Sequence, residues 1–158
     1  MRQTVSKRFF IASPAFVLLA ALAFSACAGG GGDREVISTP DAPAAIGPYS
    51  QGIRVGNTLY LAGQIALDPV TGKLVAGDIE SQTHRVLKNL GAVLKAAGFH
   101  YSDVVQVQAF LADLNDYKAM NDIYATYFNE SKPARAVVEA ARIPRDALVE
   151  IMMVAVKP

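Results

Sequence analysis

The sequence predicts an α+β fold in which two helices cover one face of a mixed β-sheet. Two segments carry apolar residues at helical spacing, and several shorter segments have the composition and turn signals of strands. Their order along the chain is β-β-α-β-α-β-β, within a predicted domain at residues 36–158. The last strand is apolar on both sides, which indicates that both of its faces are covered.

The N-terminal residues 1–26 are typical of a secretory signal peptide of the lipoprotein type. Arg2, Lys7 and Arg8 precede an apolar run over residues 9–24. That run is shorter than the roughly 20 residues that a membrane-spanning helix needs, and small residues follow it. We therefore expect an exported protein of the periplasm or cell envelope.

Cys27, the only cysteine, follows small residues in a pattern that resembles a bacterial lipobox. The resemblance implies that Cys27 receives lipid and anchors the mature protein to a membrane. Phe24 stands where the motif prefers an aliphatic residue, so ordinary cleavage near Ala26 or Ala28 is the alternative. In either case one cysteine cannot form a disulfide within the chain.

A flexible tether is predicted at residues 27–35, because residues 28–32 read AGGGG. Three of the 15 basic residues precede Cys27 and all 14 acidic residues follow it, so the mature net charge is −2. No nucleic-acid partner is expected, since nucleic-acid binding usually needs a basic surface.

A hairpin of two strands opens the predicted domain, at residues 51–55 and 59–63, around a Gly-Asn turn. The first helix follows, with Asp78 as a suitable N-cap and Gly98 as a C-terminal stop. One stripe of this helix holds its apolar residues: Ile79, Val86, Leu87, Leu90, Val93, Leu94 and Ala97. A stripe of this kind packs against a core.

A third strand is predicted at residues 104–111, where side chains alternate between two faces. One face carries Val105, Val107 and Ala109. The second helix starts near Asn115 or Asp116 and ends before Pro133. Its apolar face comprises Tyr117, Met120, Ile123, Tyr124, Tyr127 and Phe128. Both helices are therefore amphipathic and cover one side of the sheet.

Two further strands are predicted at residues 134–141 and 148–156, on either side of a turn at 143–146. The strand at 148–156 is almost wholly apolar, although the helices cover only one of its faces. A contiguous exposed apolar face is an interaction site or an aggregation hazard. We therefore predict that another subunit covers the second face.

Two charged residues, Arg135 and Glu150, lie among apolar neighbours in these last two strands. Such residues are rarely buried unless they are paired or bound to a ligand. An ion pair between them, side chains that reach solvent at strand ends, and a functional site are the open interpretations. His84 and His100 lack partners at metal-ligand spacing, so no metal site is predicted.

Several motifs, in order and in register, resemble those of the Rid family, the YjgF/UK114 group. They are APAAIGPYSQG at 42–52, AGQI at 62–65, LNDY at 114–117 with Asn121, PAR at 133–135, EAARIP at 139–144 and LVEI at 148–151. The resemblance implies a chorismate-mutase-like fold and a homotrimer with clefts between subunits. It also implies hydrolysis of short-lived enamines and imines to 2-oxo acids and ammonia, without a cofactor.

The resemblance assigns the catalytic roles to Arg135, Glu150 and Tyr49. A guanidinium offers a planar fork to the carboxylate of a small imino or enamino acid substrate, and Arg135 is the matching residue. Glu150 matches the carboxyl that orients and deprotonates the attacking water, which requires a raised pKa in an apolar setting. Tyr49 would form a wall of the cleft and donate a hydrogen bond.

Four substrate-binding positions accompany Arg135 in the resemblance: Tyr49, Asn121, Gly63 and Ala62. Asn121 would hydrogen-bond in the cleft, and Gly63 would bring backbone close to the substrate. Ala62 stands where the best-known deaminases often have serine, and Val137 where they often have cysteine. Neither residue is the carboxylate clamp or the water-handling acid, so both differences bear on substrate range.

Two other functions remain open. The first is a trimer that binds small carboxylates without turnover. The second is the ribonuclease or chaperone-like role sometimes attached to the family. The mature net charge of −2 opposes a ribonuclease, because RNA binding depends on neutralising phosphates.

Overall fold

The computed structural model of the protein describes residues 33–158. The predicted signal peptide at 1–26, Cys27 and most of the predicted tether at 27–35 lie outside the described residues. Within residues 33–158, no helix combines the length and hydropathy needed to cross a bilayer.

Six strands and two α-helices form the domain. They are β1 (Arg34–Ile37), β2 (Gly52–Val55), β3 (Thr58–Gln64), α1 (Ile79–Ala96), β4 (Val104–Leu111), α2 (Tyr117–Tyr127), β5 (Ala134–Glu139) and β6 (Val149–Val156). The sheet order is β1-β2-β3-β6-β4-β5, and only β4 and β5 pair in parallel. The predicted mixed sheet with two helices is confirmed.

Strand β1 is the element that the sequence analysis missed, so the order contains one strand more than predicted. It begins at Arg34, inside the predicted tether, and pairs with β2. Only Ile37 of its four residues is buried, and a single buried residue leaves no alternation to detect.

The ends of α1 and the start of α2 agree with the predicted signals. The Asp78 side chain accepts a hydrogen bond from the Ser81 amide, which caps α1. Gly98 adopts φ +75°, the left-handed conformation that ends a helix. Helix α2 follows Asp116, although the Asp116 side chain makes no capping bond.

Both helices pack on one face of the sheet, where alternate residues of β6 are buried: Val149, Ile151, Met153 and Ala155. Val107 and Ala109 of β4 lie on the same face. The prediction that Val105 shares this face was wrong, because Val105 is 47% exposed. A register shift between Val104 and Gln106 turns Val104 into the core instead.

The opposite face, which we call the open face, is largely apolar and not covered by either helix. Met152 and Val154 are only partly buried there. Tyr60 and Val138 are about half exposed, at 51% and 49%. These residues come from β6, β3 and β5, so the exposed apolar surface crosses most of the sheet.

Candidate active site

A cavity of about 260 Å³ lies where β3 and β6 meet the open face. Its lining comprises Ile46, Tyr49, Ala62, Gly63, Ile65, Pro144 and Glu150. The cavity therefore brings together four of the predicted site residues, and Glu150 is the one carboxyl among apolar walls. An apolar pocket with few polar groups is the usual form of a small-molecule site.

Gly63 gives the Glu150 side chain the space that it occupies. The register between β3 and its antiparallel partner β6 shifts between Leu61 and Gln64. A Cβ atom at position 63 would collide with Oε1 of Glu150 and lie 3.0 Å from its Cδ. The backbone of β3 is thus the wall against which the carboxyl packs, and alanine would displace it.

Burial raises the pKa of the Glu150 carboxyl. Between residues 33 and 158, this carboxyl has no hydrogen-bond donor and no cationic partner. Desolvation disfavours its charged form without compensation. A carboxyl in such a setting is a better proton acceptor than one in water.

Tyr49 lies on the loop that covers the cavity, and its side chain is 46% exposed. The Ile46 amide donates a hydrogen bond to the Tyr49 hydroxyl at 3.2 Å, which holds the ring over the loop. The loop is anchored by Gln51, whose Nε2 donates to the carbonyls of Ala42 and Pro43 at 3.2 and 2.8 Å. The sequence analysis assigned no role to Gln51.

Arg135 lies on the helix face of β5, in contact with α2. Its Nη2 donates to Asn121 Oδ1 at 2.6 Å and to the Tyr117 hydroxyl at 3.3 Å. Its Cζ lies 4.2 Å from the centre of the Tyr124 ring. Nη1 is buried and has no partner among the described residues. One arm of the guanidinium is thus fixed, whereas the hydrogen-bonding capacity of the buried arm is not satisfied.

Strand register places Arg135 and Glu150 on opposite faces of the sheet. Arg135 pairs with Val107, whereas Glu150 pairs with Phe110. Val107 belongs to the core beneath the helices, and a residue three positions along a regular strand faces the other way. The ion pair considered from sequence is therefore absent within the chain, and the two charges lie on opposite sides of the sheet.

The other residues considered from the sequence lie away from the cavity. His84 Nδ1 lies 3.1 Å from the Tyr127 hydroxyl, and His100 is exposed beyond α1. Over residues 33–158, no group of His, Cys, Asp or Glu side chains is arranged to hold a metal. Val137 packs against the core on the helix side. The sequence analysis missed Tyr124 as a neighbour of Arg135, because its helical spacing indicated only a core position.

The fold and the cavity define a chorismate-mutase-like α+β protein with a small-molecule cleft. A family model described as Ribonuc_L-PSP, endoribonuclease L-PSP, matches residues 39–157. The chain belongs to this family, the Rid or YjgF family, which confirms the resemblance seen in its motifs.

Two relatives match this chain over most of the described residues. A 2-iminobutanoate/2-iminopropanoate deaminase of Mus musculus is 51% identical over 124 residues, which cover 78% of this chain and 92% of the relative. A RutC family protein of Pyrococcus horikoshii is 54% identical, over 78% of this chain and 98% of the relative.

Solved structures agree with the fold. The YjgF gene product of E. coli is 42% identical, with a TM-score of 0.75, over 78% of this chain and 99% of that chain. TdcF of E. coli, in a crystal structure with bound serine, is 38% identical with a TM-score of 0.76, over the same shares of 78% and 99%.

Replacing Glu150 with glutamine should stabilise the protein at neutral pH. Burial raises the Glu150 pKa above its ordinary value of 4.5, so the folded protein binds this proton more tightly than the unfolded chain. The corresponding stability is fully present below the unfolded pKa and is lost as the pH rises through the folded pKa. Glu150→Gln should therefore melt like the parent at about pH 4 and above it at about pH 7. An equal difference at both pH values would contradict a buried, uncompensated carboxyl.

Proposed function

We propose that this protein is a hydrolytic deaminase that converts 2-imino acids and their enamine tautomers to 2-oxo acids and ammonia. The observation that carries the proposal is the Glu150 carboxyl, which has a raised pKa and faces an apolar cavity without a partner. Relatives named 2-iminobutanoate/2-iminopropanoate deaminase, 46% to 51% identical, support the same chemistry.

Glu150 acts first as the base. The substrate reacts as its protonated imine. The oxygen of water bonds to the imine carbon, one proton of that water passes to the Glu150 carboxylate, and the C=N electron pair moves to nitrogen, which yields a neutral carbinolamine. Glu150 then returns its proton to nitrogen. The C–N bond breaks with its electron pair on the departing ammonia, while the hydroxyl proton passes to Glu150 and the C=O bond forms. Ammonia finally takes this proton from Glu150 and leaves as ammonium. Water is the only co-reactant, so atoms and electrons balance without an oxidant or reductant.

Arg135 binds the carboxylate of the substrate. Its guanidinium is permanently charged, and Asn121 and Tyr117 already fix one of its nitrogens. The guanidinium, which is only partly buried, supplies charge-assisted hydrogen bonds to a carboxylate oxygen. Serine, which is bound in the crystal structure of the related TdcF, carries a carboxylate, so this class of ligand is consistent with the proposal.

A substrate that touches both Arg135 and Glu150 must lie between two chains, because one sheet separates these residues within a chain. The apolar open face supplies a surface on which chains can associate. The proposed assembly is a homotrimer, in which Tyr49, Gly63 and Glu150 of one subunit face Arg135 and Asn121 of the next. Ala62 and the apolar cavity walls then limit the size of the substrate side chain.

The main competing function is binding of small carboxylates without turnover. In that case ligand binding is the only activity to measure, and it should not require Glu150. A ribonuclease, which the description of the family model names, needs a basic surface. The residues after Cys27 include 12 basic and 14 acidic ones. Their net negative charge does not favour binding to the phosphates of RNA.

Replacing Arg135 or Glu150 should remove activity in two different ways. Arg135→Ala should abolish most binding and turnover, and Arg135→Lys should restore little, because an ammonium lacks the planar fork. Glu150→Gln cannot accept a proton, so kcat should fall by roughly 10²–10⁴-fold with a smaller change in KM. The measurement is semicarbazide competition kinetics on imines generated by an amino-acid oxidase.

Matched controls are Arg54→Ala and Glu80→Gln, which remove the same charges away from the cavity and from Arg135 and should leave kcat and KM unchanged. Melting curves accompany the kinetics. If the replaced residue were part of a structural ion pair, the variant protein would lose stability together with activity. Parental turnover by a well-folded Glu150→Gln variant would refute the assignment of the base.

Mixing two inactive variants should restore part of the activity if the site is shared. Protein without residues 1–27 should first show about three times the subunit mass by light scattering. After subunit exchange between Arg135→Ala and Glu150→Gln, about a quarter of the clefts should pair an intact Arg135 with an intact Glu150. Mixtures containing the double variant Arg135→Ala/Glu150→Gln lack that combination and serve as the control. An active monomer, or no restoration after proven exchange, would exclude the shared cleft.

We also propose export of the protein and its attachment to a membrane through lipid on Cys27. The support is the sequence pattern of residues 1–27, which resembles a lipoprotein signal. Intact mass of membrane-extracted protein should show an acylated N-terminal Cys27. A mature N-terminus at Ala28 or later, without acyl mass, would instead mean ordinary cleavage.

A further inference from the structure

The Arg135 guanidinium lies over a tyrosine ring that has no part in the chemistry described above. Tyr124 is only 7% exposed, and its ring centre lies 4.2 Å from Arg135 Cζ. The ring also stacks on Phe128 with centroids 4.4 Å apart. Tyr117 is a second aromatic neighbour, but it is exposed and its ring lies 5.9 Å away. Tyr124 is thus the closer and more buried contact of the two.

The Tyr124 hydroxyl is buried and makes no hydrogen bond of good geometry with any residue between 33 and 158. Burial raises the pKa of Tyr124 to about 12, against the opposing effects of the Arg135 charge and of hydrogen bonding by the Arg135 side chain. The phenol is therefore neutral at physiological pH. A hydroxyl without good hydrogen-bond geometry contributes little, so the ring contact at 4.2 Å is the better-defined interaction with Arg135.

Hydrogen bonds alone do not fix the plane of the guanidinium. Both bonds to Asn121 and Tyr117 come from Nη2, and the bond to Tyr117 is long at 3.3 Å, so it constrains the plane only weakly. A flat ring at 4.2 Å opposes a tilt of that plane, because a cation prefers to stay over the face of an aromatic ring. Nη1, which has no partner, is thereby held in one direction.

We propose that Tyr124 is a positioning residue, which orients Arg135 for the substrate carboxylate through its ring and not through its hydroxyl. The inference rests on the proposed function, since it takes Arg135 as the carboxylate-binding group. A guanidinium that is already oriented loses less freedom when the ligand binds. The ring therefore contributes to affinity for every 2-imino or 2-oxo acid, whatever its side chain.

The variants Tyr124→Phe and Tyr124→Leu separate the ring from the hydroxyl, because both lack the hydroxyl and only one keeps the ring. The probe is 2-oxobutanoate, with its Kd measured by calorimetry, alongside KM and kcat for the matching imine. Tyr124→Phe should bind like the parent and melt at or above the parental temperature. Tyr124→Leu should raise Kd and KM by about 5- to 30-fold, with kcat little changed because Glu150 is untouched.

The control pair is Tyr127→Phe and Tyr127→Leu on the same helix. The Tyr127 hydroxyl contacts His84 and its ring contacts Tyr101, not Arg135. These variants should lower the melting temperature without moving Kd or KM, as any purely structural tyrosine would. Should Tyr124→Leu not fold, Tyr124→Met carries the same comparison with Tyr124→Phe.

Two results would overturn the inference alone. One is parental affinity in a folded Tyr124→Leu or Tyr124→Met variant, and the other is an equal loss of affinity in Tyr124→Phe, which would assign the effect to the hydroxyl. A parent protein that neither binds 2-oxobutanoate nor hydrolyses imines would overturn the proposed function, and this inference with it.

Discussion

The alternation of side chains along a β-strand fixes where the two candidate site charges lie. Strand β4 pairs with Arg135 through Val107 and with Glu150 through Phe110. These two β4 residues point to opposite faces, so the sheet itself separates the cation from the carboxyl. Neither charge therefore neutralises the other within a chain.

Glu150 and Arg135 obtain their properties by different physical means. The pKa of Glu150 is raised because the carboxyl is desolvated and has no hydrogen-bond donor or cation beside it within the chain. The Arg135 guanidinium is held by partners, since Asn121 and Tyr117 bind one nitrogen and the Tyr124 ring lies 4.2 Å from Cζ. A cation next to Glu150 would lower its pKa, so the pKa of this carboxyl depends on which charged groups any neighbouring chain brings to the cavity.

Sequence patterns predicted the elements whose signals are local. Asp78 and Gly98 mark the ends of α1 because capping depends on neighbouring residues alone. Strand β1 escaped detection because only Ile37 is buried, and Val105 was assigned to the wrong face because a register shift leaves no mark in the composition. A bulge is a property of two strands together, which one segment of sequence does not reveal.

Family motifs supplied the site residues, but not their arrangement. Tyr49, Gly63 and Glu150 do meet in one cavity, whereas Arg135 lies on the other side of the sheet. Alternation within β5 and β6 does not predict this separation, because the relative facing of two strands depends on how both pair with β4. Gln51 was missed for a related reason: a single glutamine does not indicate which distant carbonyls it will bind.

The glycine at position 63 sets the place of the carboxyl separately from the shape of the rest of the cavity. The Glu150 carboxyl packs against main-chain atoms at Gly63, and main-chain atoms are the same whatever side chains surround them. Ile46 and Ile65, by contrast, line the rest of the cavity with side chains. Mutational drift at those two positions can change which molecules fit while the main-chain wall beside the carboxyl stays where it is. Because the same apolar side chains also desolvate Glu150, a change in selectivity carries a change in its acidity with it.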